Sequence, residues 1–263
     1  MTERVIDLEA VSWRTGRELL LDRVSWQVER GQHWALYGLN GSGKTTLLNL
    51  INGYIWPSAG AASVLGHRFG EIDLRVLRRS IGWVSASLQD KLYASDKTQH
   101  VVISGKHATI GLYDKVEQDD LARAEALMAT LGCAKLWDRE LRTCSQGEKQ
   151  KVVIARALMA EPELLILDEP CNGLDLFARE TLLAGIEGLT RQPSAPTLLY
   201  VTHHTEEILP VFGHTLLLRG GRVFDRGETQ RMLEPSRLGA FFEAPVALER
   251  HDGRVYVRPG AGA

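Results

Sequence analysis

The chain has little cysteine, no long apolar run and almost no excess of charge, and each shortage removes a class of protein. Three cysteines, Cys133, Cys144 and Cys171, occur in 263 residues. They are too few and too scattered for a disulfide framework or a zinc site, which points to a cytosolic chain. No apolar stretch approaches the roughly 18–20 residues needed to cross a bilayer, and residues 1–7 hold no apolar signal-peptide core. If the protein works at a membrane, another chain must hold it there. A formal net charge of −2 gives no support for a broad electrostatic grip on nucleic acid, so no nucleic-acid partner is expected. Internal repeats and low-complexity segments are missing too. What remains is a composition ordinary for a globular protein, 44% hydrophobic and 24% charged, long enough for one large α/β domain or two small ones.

Alternation of apolar and polar residues marks 5–12 and 24–29 as strands with a turn at Gly16 between them. An apolar run at 34–37 reads as a third strand, and 57–60 (Pro-Ser-Ala-Gly) as a turn leading to a short strand at 62–65. Further apolar strands are expected at 81–85, 164–167, 197–201 and 215–218. Between about 88 and 144 helix formers replace β-branched runs, as in 119–131, so this stretch reads as a helical insert. Strands alternating with helices predict a mostly parallel, covered sheet. The last residues, from Arg258 on, read as a loose end.

The most informative stretch is Gly38, Leu39, Asn40, Gly41, Ser42, Gly43, Lys44 and Thr45. It follows the strand at 34–37 and opens into a helix that begins with Thr46 and ends near Gly53. A strand, a glycine loop and a helix carrying G-x-x-x-x-G-K-[ST] make the phosphate-cradling P-loop. Glycines permit backbone angles that a side chain forbids, so successive N–H groups can turn inward around phosphate oxygens. The helix N-terminus adds unpaired donors and a positive dipole end. Lys44 would bridge the outer phosphates and the Thr45 hydroxyl would ligate Mg²⁺. An ordinary glycine-rich turn is the plainer reading, and it does not account for the strand and helix on either side. The chain is expected to bind a nucleoside triphosphate.

Two further segments follow in order. At 164–169 an apolar strand ends in Asp168 and Glu169, which places two carboxylates at the C-terminal edge of a parallel sheet, where open α/β folds bind ligands. An acidic residue there helps to hold Mg²⁺ in P-loop enzymes, which suits Asp168. Glu169 points elsewhere by strand alternation and can orient or deprotonate the attacking water. Taken alone, the pair could be solvated charges ending a strand. Earlier in the chain, Ser145 with Glu148 three residues on forms a capping-box helix start. With Gly147 it makes a second anion site of the helix-terminus kind, though alone it could be a capped helix and nothing more. The order of P-loop, serine-glycine helix start and Asp-Glu strand is the decisive constellation.

With these residues the chain resembles the nucleotide-binding subunit of ABC transporters, over about 5–227. Residues 38–45 match the family's Walker A loop. Cys144, Ser145, Gln146, Gly147 and Glu148 resemble its signature sequence, and 164–169 its Walker B strand. Gly173, Leu174 and Asp175 are similar to the D-loop, and Thr202-His203 to the switch-histidine segment. The resemblance implies a P-loop NTPase, RecA-like α/β core with an N-terminal antiparallel β subdomain and an inserted helical subdomain, here about 88–154. The ATPase domain would span 1–227, with 228–263 as a short C-terminal extension. It further implies MgATP as the bound species and a head-to-tail homodimer, or a pair with another ATPase subunit. In that dimer each ATP lies between one Walker A loop and the partner's signature. Permease subunits would span the membrane and dock on the helical insert, around 88–114, holding the chain on the cytoplasmic face.

The chain departs from the family pattern in four respects. Cys144 and Gln146 replace a leucine and a glycine of the signature, while Ser145 and Gly147, the groups implied to touch the γ-phosphate, are kept. Thr15 stands where an aromatic residue usually stacks on adenine. Trp13, two residues earlier and hence on the same strand face, is the candidate stacker, unless it is a core or surface tryptophan. Ala86 occupies the usual Q-loop position, and Gln89 is the candidate Mg²⁺ and water contact, unless it is a plain surface residue. His203 is followed by His204; the Thr-His match favours His203 as the γ-phosphate contact. A soluble ABC ATPase acting on ribosomes or DNA is the alternative function. The ribosome-acting type resembles two fused cassettes, but this chain has one P-loop, and 46–143 is too short for the long coiled coil of the DNA-repair type. Residues 33–40 and 81–85 resemble the molybdate-type uptake subgroup.

Overall fold

The computed structural model describes residues 3–260. The chain divides into two compact units, Met1–Arg78 with Thr197–Ala263, and Arg79–Pro196. Among the described residues no helix is long and apolar enough to cross a membrane, and Cys133, Cys144 and Cys171 are all free and buried.

The first unit begins with two long antiparallel strands, Arg4–Thr15 and Glu18–Glu29. Both are longer than their alternation suggested. Register shifts along the pair and left-handed kinks at Ala10 and Arg23 break the alternation, so period-two reading recovers only the regular stretches. The antiparallel sheet continues through Ala59–Val64 to His67–Arg68. The turn expected at 57–60 is shorter than it reads: Ala59 already pairs with Ser12. Gly60 follows at φ 87° with the Ala10 and Glu9 carbonyls 2.5 Å from where a Cβ would sit. That glycine belongs to an irregular strand start, not to a free turn.

A second set of strands in this unit carries the phosphate loop. Trp34–Tyr37 is buried along its whole length, as a continuous apolar run in a covered parallel sheet must be. It pairs in parallel with Thr197–Thr202 on one side and His214–Arg219 on the other. Arg222–Glu228 returns antiparallel to His214–Arg219. Residues after 228 stay with this unit. The helix Pro235–Phe242 sets Phe241 against Tyr37, ring centroids 5.7 Å apart, and a hairpin joins Val246–His251 to Arg254–Pro259. The loose end read from Arg258 on is therefore corrected: Arg258 and Pro259 are paired strand residues, and the Gly260 N–H donates to the Pro245 carbonyl. Ala261, Gly262 and Ala263 lie outside the described residues. The missed signal was Asp252-Gly253, both left-handed (φ 50° and 74°), the turn chemistry of a two-residue hairpin.

The second unit pairs Ile81–Val84 in parallel with Leu164–Asp168 and is otherwise helical. Gln118–Thr130 starts at a reciprocal capping box between Glu117 and Asp120 and stops just before Gly132, which takes φ 65°, a left-handed stop that glycine favours. Gln146–Leu158 is the central helix, buried from Gln150 onward. Two charged residues on it are buried, Lys151 and Arg156, and burial pushes the pKa of each down; Arg156 Nη2 donates to the Thr109 carbonyl at 2.9 Å. Gly105 has to be glycine, because a Cβ would sit 1.9 Å from the Arg156 carbonyl oxygen.

Candidate nucleotide site

In the first unit the loop leaves the C-terminal end of Trp34–Tyr37 and enters the helix Lys44–Ile51. Gly38 admits no side chain, since a Cβ would lie 2.4 Å from Ser42 Oγ and 2.7 Å from the Leu218 carbonyl oxygen. Gly41 and Gly43 take φ 76° and 101°, the left-handed region that only glycine enters freely. Gly43 is the N-cap, with no side-chain cap bond and no acidic residue in the first turn, so the helix presents its first-turn donors and positive end to the loop. Ser42 Oγ is buried without a hydrogen-bond partner, a cost that a phosphate oxygen would remove. Lys44, only 7% exposed, curls back so that Nζ donates to the Gly38 carbonyl at 2.8 Å and the Leu39 carbonyl at 3.3 Å. Its ammonium thus lies in the concavity of its own loop. Leu39, Asn40 and Gly41 are exposed on the rim and Thr46 is half-buried.

Magnesium fits this donor set. Thr45 is exposed at the start of the helix, where a hydroxyl can join phosphate oxygens and water around a small hard cation. Among the described residues no group of three or more His, Cys, Asp or Glu side chains is placed to hold an ion by itself. The ion would thus be held as Mg²⁺ usually is, by few protein oxygens and the substrate's phosphates.

The same unit brings the histidine segment to the loop. Tyr37 is in register with Thr202, and the Gly38 N–H approaches the Thr202 carbonyl at 3.4 Å. His203 follows directly, half-buried, its ring 4.1 Å from that of exposed His204. Trp13, half-buried, stands opposite Leu21, and exposed Thr15 stands opposite Glu18.

The second unit carries the remaining sequence-read residues. The strand Leu164–Asp168 ends with Asp168 half-buried. Glu169 is not a strand residue: it takes φ 48°, so strand alternation does not decide where it points. A glutamate in the left-handed region is rare and costs of order 1–3 kcal/mol, a strain that clusters at functional sites. Asp175 caps the helix Leu176–Thr190, its Oδ1 accepting from the Ala178 N–H at 2.8 Å. At the signature, Ser145 Oγ accepts from the Glu148 N–H at 3.3 Å, and Glu148 Oε2 accepts from the Ser145 N–H at 2.9 Å. The capping box read from the sequence is thus formed, and it occupies these two backbone donors. Gly147 is buried, with room for a Cβ only 3.0 Å from Ala178 Cβ. Cys144 is buried and its thiol pKa is raised by burial, so it fills space as leucine would. Gln146 Nε2 donates to Gln89 Oε1 at 3.1 Å, joining the glutamine of the signature segment to the candidate Q-loop residue. One residue escaped sequence reading: Glu207, 4% exposed, whose Oε2 accepts from Thr202 Oγ1 at 2.6 Å and Tyr200 Oη at 3.1 Å. The sequence shows it only as the second of two glutamates, Glu206 and Glu207, between the histidines and the short apolar run Ile208-Leu209.

A parallel-sheet loop of this shape, with an uncapped helix start, a buried lysine and an orphaned serine hydroxyl, defines a P-loop nucleotide-binding protein. A family model described as "ABC transporter" matches residues 21–172. The chain is 49% identical over 254 residues to YlmA of Bacillus subtilis (strain 168), an uncharacterized ABC transporter ATP-binding protein, covering 96% of each chain. It is 37% identical over 202 residues to the molybdenum import ATP-binding protein ModC of Pasteurella multocida (strain Pm70), covering 74% of this chain and 54% of that one. The fold matches the dimeric structure of MJ0796, a bacterial ABC transporter cassette, with TM-score 0.71 at 23% identity, covering 85% of this chain and 98% of that one. The chain belongs to the ABC transporter family, as an ATP-binding protein whose relatives hydrolyse ATP to power transport.

Proposed function

We propose that the chain energises solute transport by hydrolysing MgATP in a head-to-tail dimer, held at the cytoplasmic face of a membrane by separate permease subunits. The observation that carries the reading is the phosphate loop, whose uncapped donors, buried Lys44 and unpartnered Ser42 hydroxyl suit an anion of several charges. Lys44 and the backbone of residues 38–46 grip the phosphates, and Trp13 stacks on adenine. Thr45, Asp168 and Gln89 would hold Mg²⁺, which would supply neutralisation of the phosphate charge. Glu169 takes a proton from water as its oxygen attacks the γ-phosphorus. The bond from phosphorus to the β–γ bridging oxygen breaks, giving ADP and phosphate. His203 holds the γ-phosphate and water in line. Positioning and charge do nearly all the work in such a transfer.

The dimer follows from the second helix start. Ser145 and Gly147, with Gln146 and Glu148, offer hydroxyl and backbone donors that in a C2 pair face the partner's nucleotide, and Asp175 lies beside the same seam. Family membership and the dimeric MJ0796 cassette support that arrangement.

Two experiments test it. Glu169→Gln should bind ATP, hydrolyse it about 10²–10⁴-fold more slowly, and elute as an ATP-trapped dimer in size-exclusion chromatography. Near wild-type turnover would move the base elsewhere. For the trans arrangement, cysteines at the exposed positions Asn40 and Gln146, in a background lacking the native thiols, should crosslink between chains and more so with ATP. Crosslinking confined to single chains would overturn the shared site.

A further inference from the structure

The C-terminal hairpin does not pack at random on the first unit; it closes over the segment that follows the histidines. Arg254 Nε donates to the Glu206 carbonyl at 2.6 Å, and Gly253 approaches Pro210 so closely that a Cβ would lie 2.8 Å from its Cγ. Val255 is buried at the seam, and Arg250 Nη2 ties the hairpin to the Leu233 carbonyl. On the inner side of the same segment stands Glu207. Its Oε2 accepts hydrogen bonds from the Thr202 and Tyr200 hydroxyls, and Thr202 Oγ1 in turn accepts from the His204 N–H at 3.0 Å. A carboxylate removed from water is costly unless it is well bonded. Here its bonds fix the backbone on either side of His203, at Thr202 and at His204.

We propose that Glu207 and Arg254 are positioning residues for the switch histidine: the buried carboxylate fixes the strand end before it, and the C-terminal hairpin clamps the turn after it. The inference rests on the reading of His203 as the γ-phosphate contact. It gives residues 246–259 a part in the timing of hydrolysis. The Thr202 carbonyl also receives the first loop N–H, from Gly38. A shift of the clamp is therefore felt where loop and histidine meet, and a misplacement of order 1 Å at reacting groups costs up to about 10²-fold.

The test is steady-state ATP hydrolysis by the full chain. Glu207→Ala and Arg254→Ala should each lower kcat by about tenfold while KM for ATP stays within about twofold, because the phosphate loop is untouched. Glu207→Gln keeps an acceptor for both hydroxyls and should restore most of the loss. The decisive measurement is a double-mutant cycle with His203→Ala, followed by single-turnover assay at excess enzyme. If the clamp works through the histidine, its loss costs nothing further once the histidine is gone. An equal penalty with and without His203 would make both residues merely structural and overturn the proposal. Should Glu207→Ala fail to fold, Arg254→Ala on the hairpin carries the same cycle. The two readings fail differently. Wild-type turnover in His203→Ala sinks the histidine role and the clamp with it. An inactive His203→Ala beside fully active Glu207 and Arg254 variants sinks the clamp alone.

Discussion

The phosphate loop and the signature are both helix N-termini with glycines, and they are built in opposite ways. The helix Lys44–Ile51 begins at a left-handed glycine, with no side chain over its first turn and a lysine as its first residue. The helix Gln146–Leu158 begins at a serine that bonds the Glu148 N–H, while the Glu148 carboxylate bonds back to Ser145. Arg139 Nη1 lies 3.3 Å from that same carboxylate. One helix start is left open and positive, so a polyphosphate would complete it. The other is complete in itself, and what it can still offer an anion is the Ser145 hydroxyl proton and the N–H groups that the box does not use. A helix terminus becomes a primary anion seat only where the chain leaves it uncapped.

The largest expected effect breaks the open half. Lys44→Ala should lower turnover by on the order of 10²–10³-fold or more and weaken ATP binding, measured by isothermal titration and steady-state kinetics. Unchanged turnover would remove the loop from the site. Ser145→Ala, by contrast, should cost about 1 kcal/mol of stability through the lost cap and leave ATP binding to the isolated subunit intact.

Glycine substitutions sharpen the contrast between conformation and space. Gly43→Ala forces a side chain into φ 101°, with the Leu20 carbonyl 3.2 Å from the new Cβ, and should lose about 1–2 kcal/mol for the left-handed angle alone. Gly147 has no such angle. Gly147→Ala meets only Ala178 Cβ at 3.0 Å, against a helix-propensity gain of up to about 1 kcal/mol, so its unfolding midpoint should stay close to wild type. Equal losses in urea denaturation would show that crowding, not backbone angle, governs both.

A smaller effect tests the charge of the closed half. Glu148→Gln keeps the geometry of a capping box and removes a negative charge from the first turn. It should raise the affinity of ATP-dependent dimerisation about twofold to fivefold, the size of a helix-terminus charge effect, read by sedimentation in a Glu169→Gln background. No change would mean that Arg139 already cancels that charge.

The smallest effect concerns the scaffold under the loop. His33 precedes the loop strand, its Nδ1 accepts the Leu198 N–H at 3.1 Å, and burial lowers its pKa below the ordinary 6.5. The unfolded chain therefore takes up this proton at higher pH than the folded one. The stability it contributes is present above about pH 6.5 and lost as pH falls towards the folded value. His33→Gln should flatten that part of the stability–pH curve, and an unchanged slope would assign it to other groups.

Legibility followed range along the chain. The strand at 34–37, the glycine loop and the Ser145–Glu148 box are local patterns, and each is found where its residues place it. Reading failed where a contact distant in sequence sets the local state. Glu169 was assigned by alternation but leaves the strand at φ 48°. The tail was read as loose, yet its hairpin is held by Arg254 on Glu206 and Val255 in the core. Glu207 gave no sign of its two hydroxyl partners, because Tyr200 and Thr202 reach it only after the strand ends and the chain turns back.

By itself the sequence determined the glycine loop, the capped signature helix, the apolar strands and, through their order, the nucleotide chemistry. These depend on backbone angles, caps and periodicities that operate within a few residues. Only the tertiary structure decided that Ser42 is buried without a partner, that Lys44 lies in its own loop, and that Gly38 and Thr202 meet. It alone decided that a C-terminal hairpin clamps the histidine segment. Such contacts are set by which surfaces pack together, and burial turns an ordinary serine, glutamate or arginine into one whose hydrogen bonds must be satisfied.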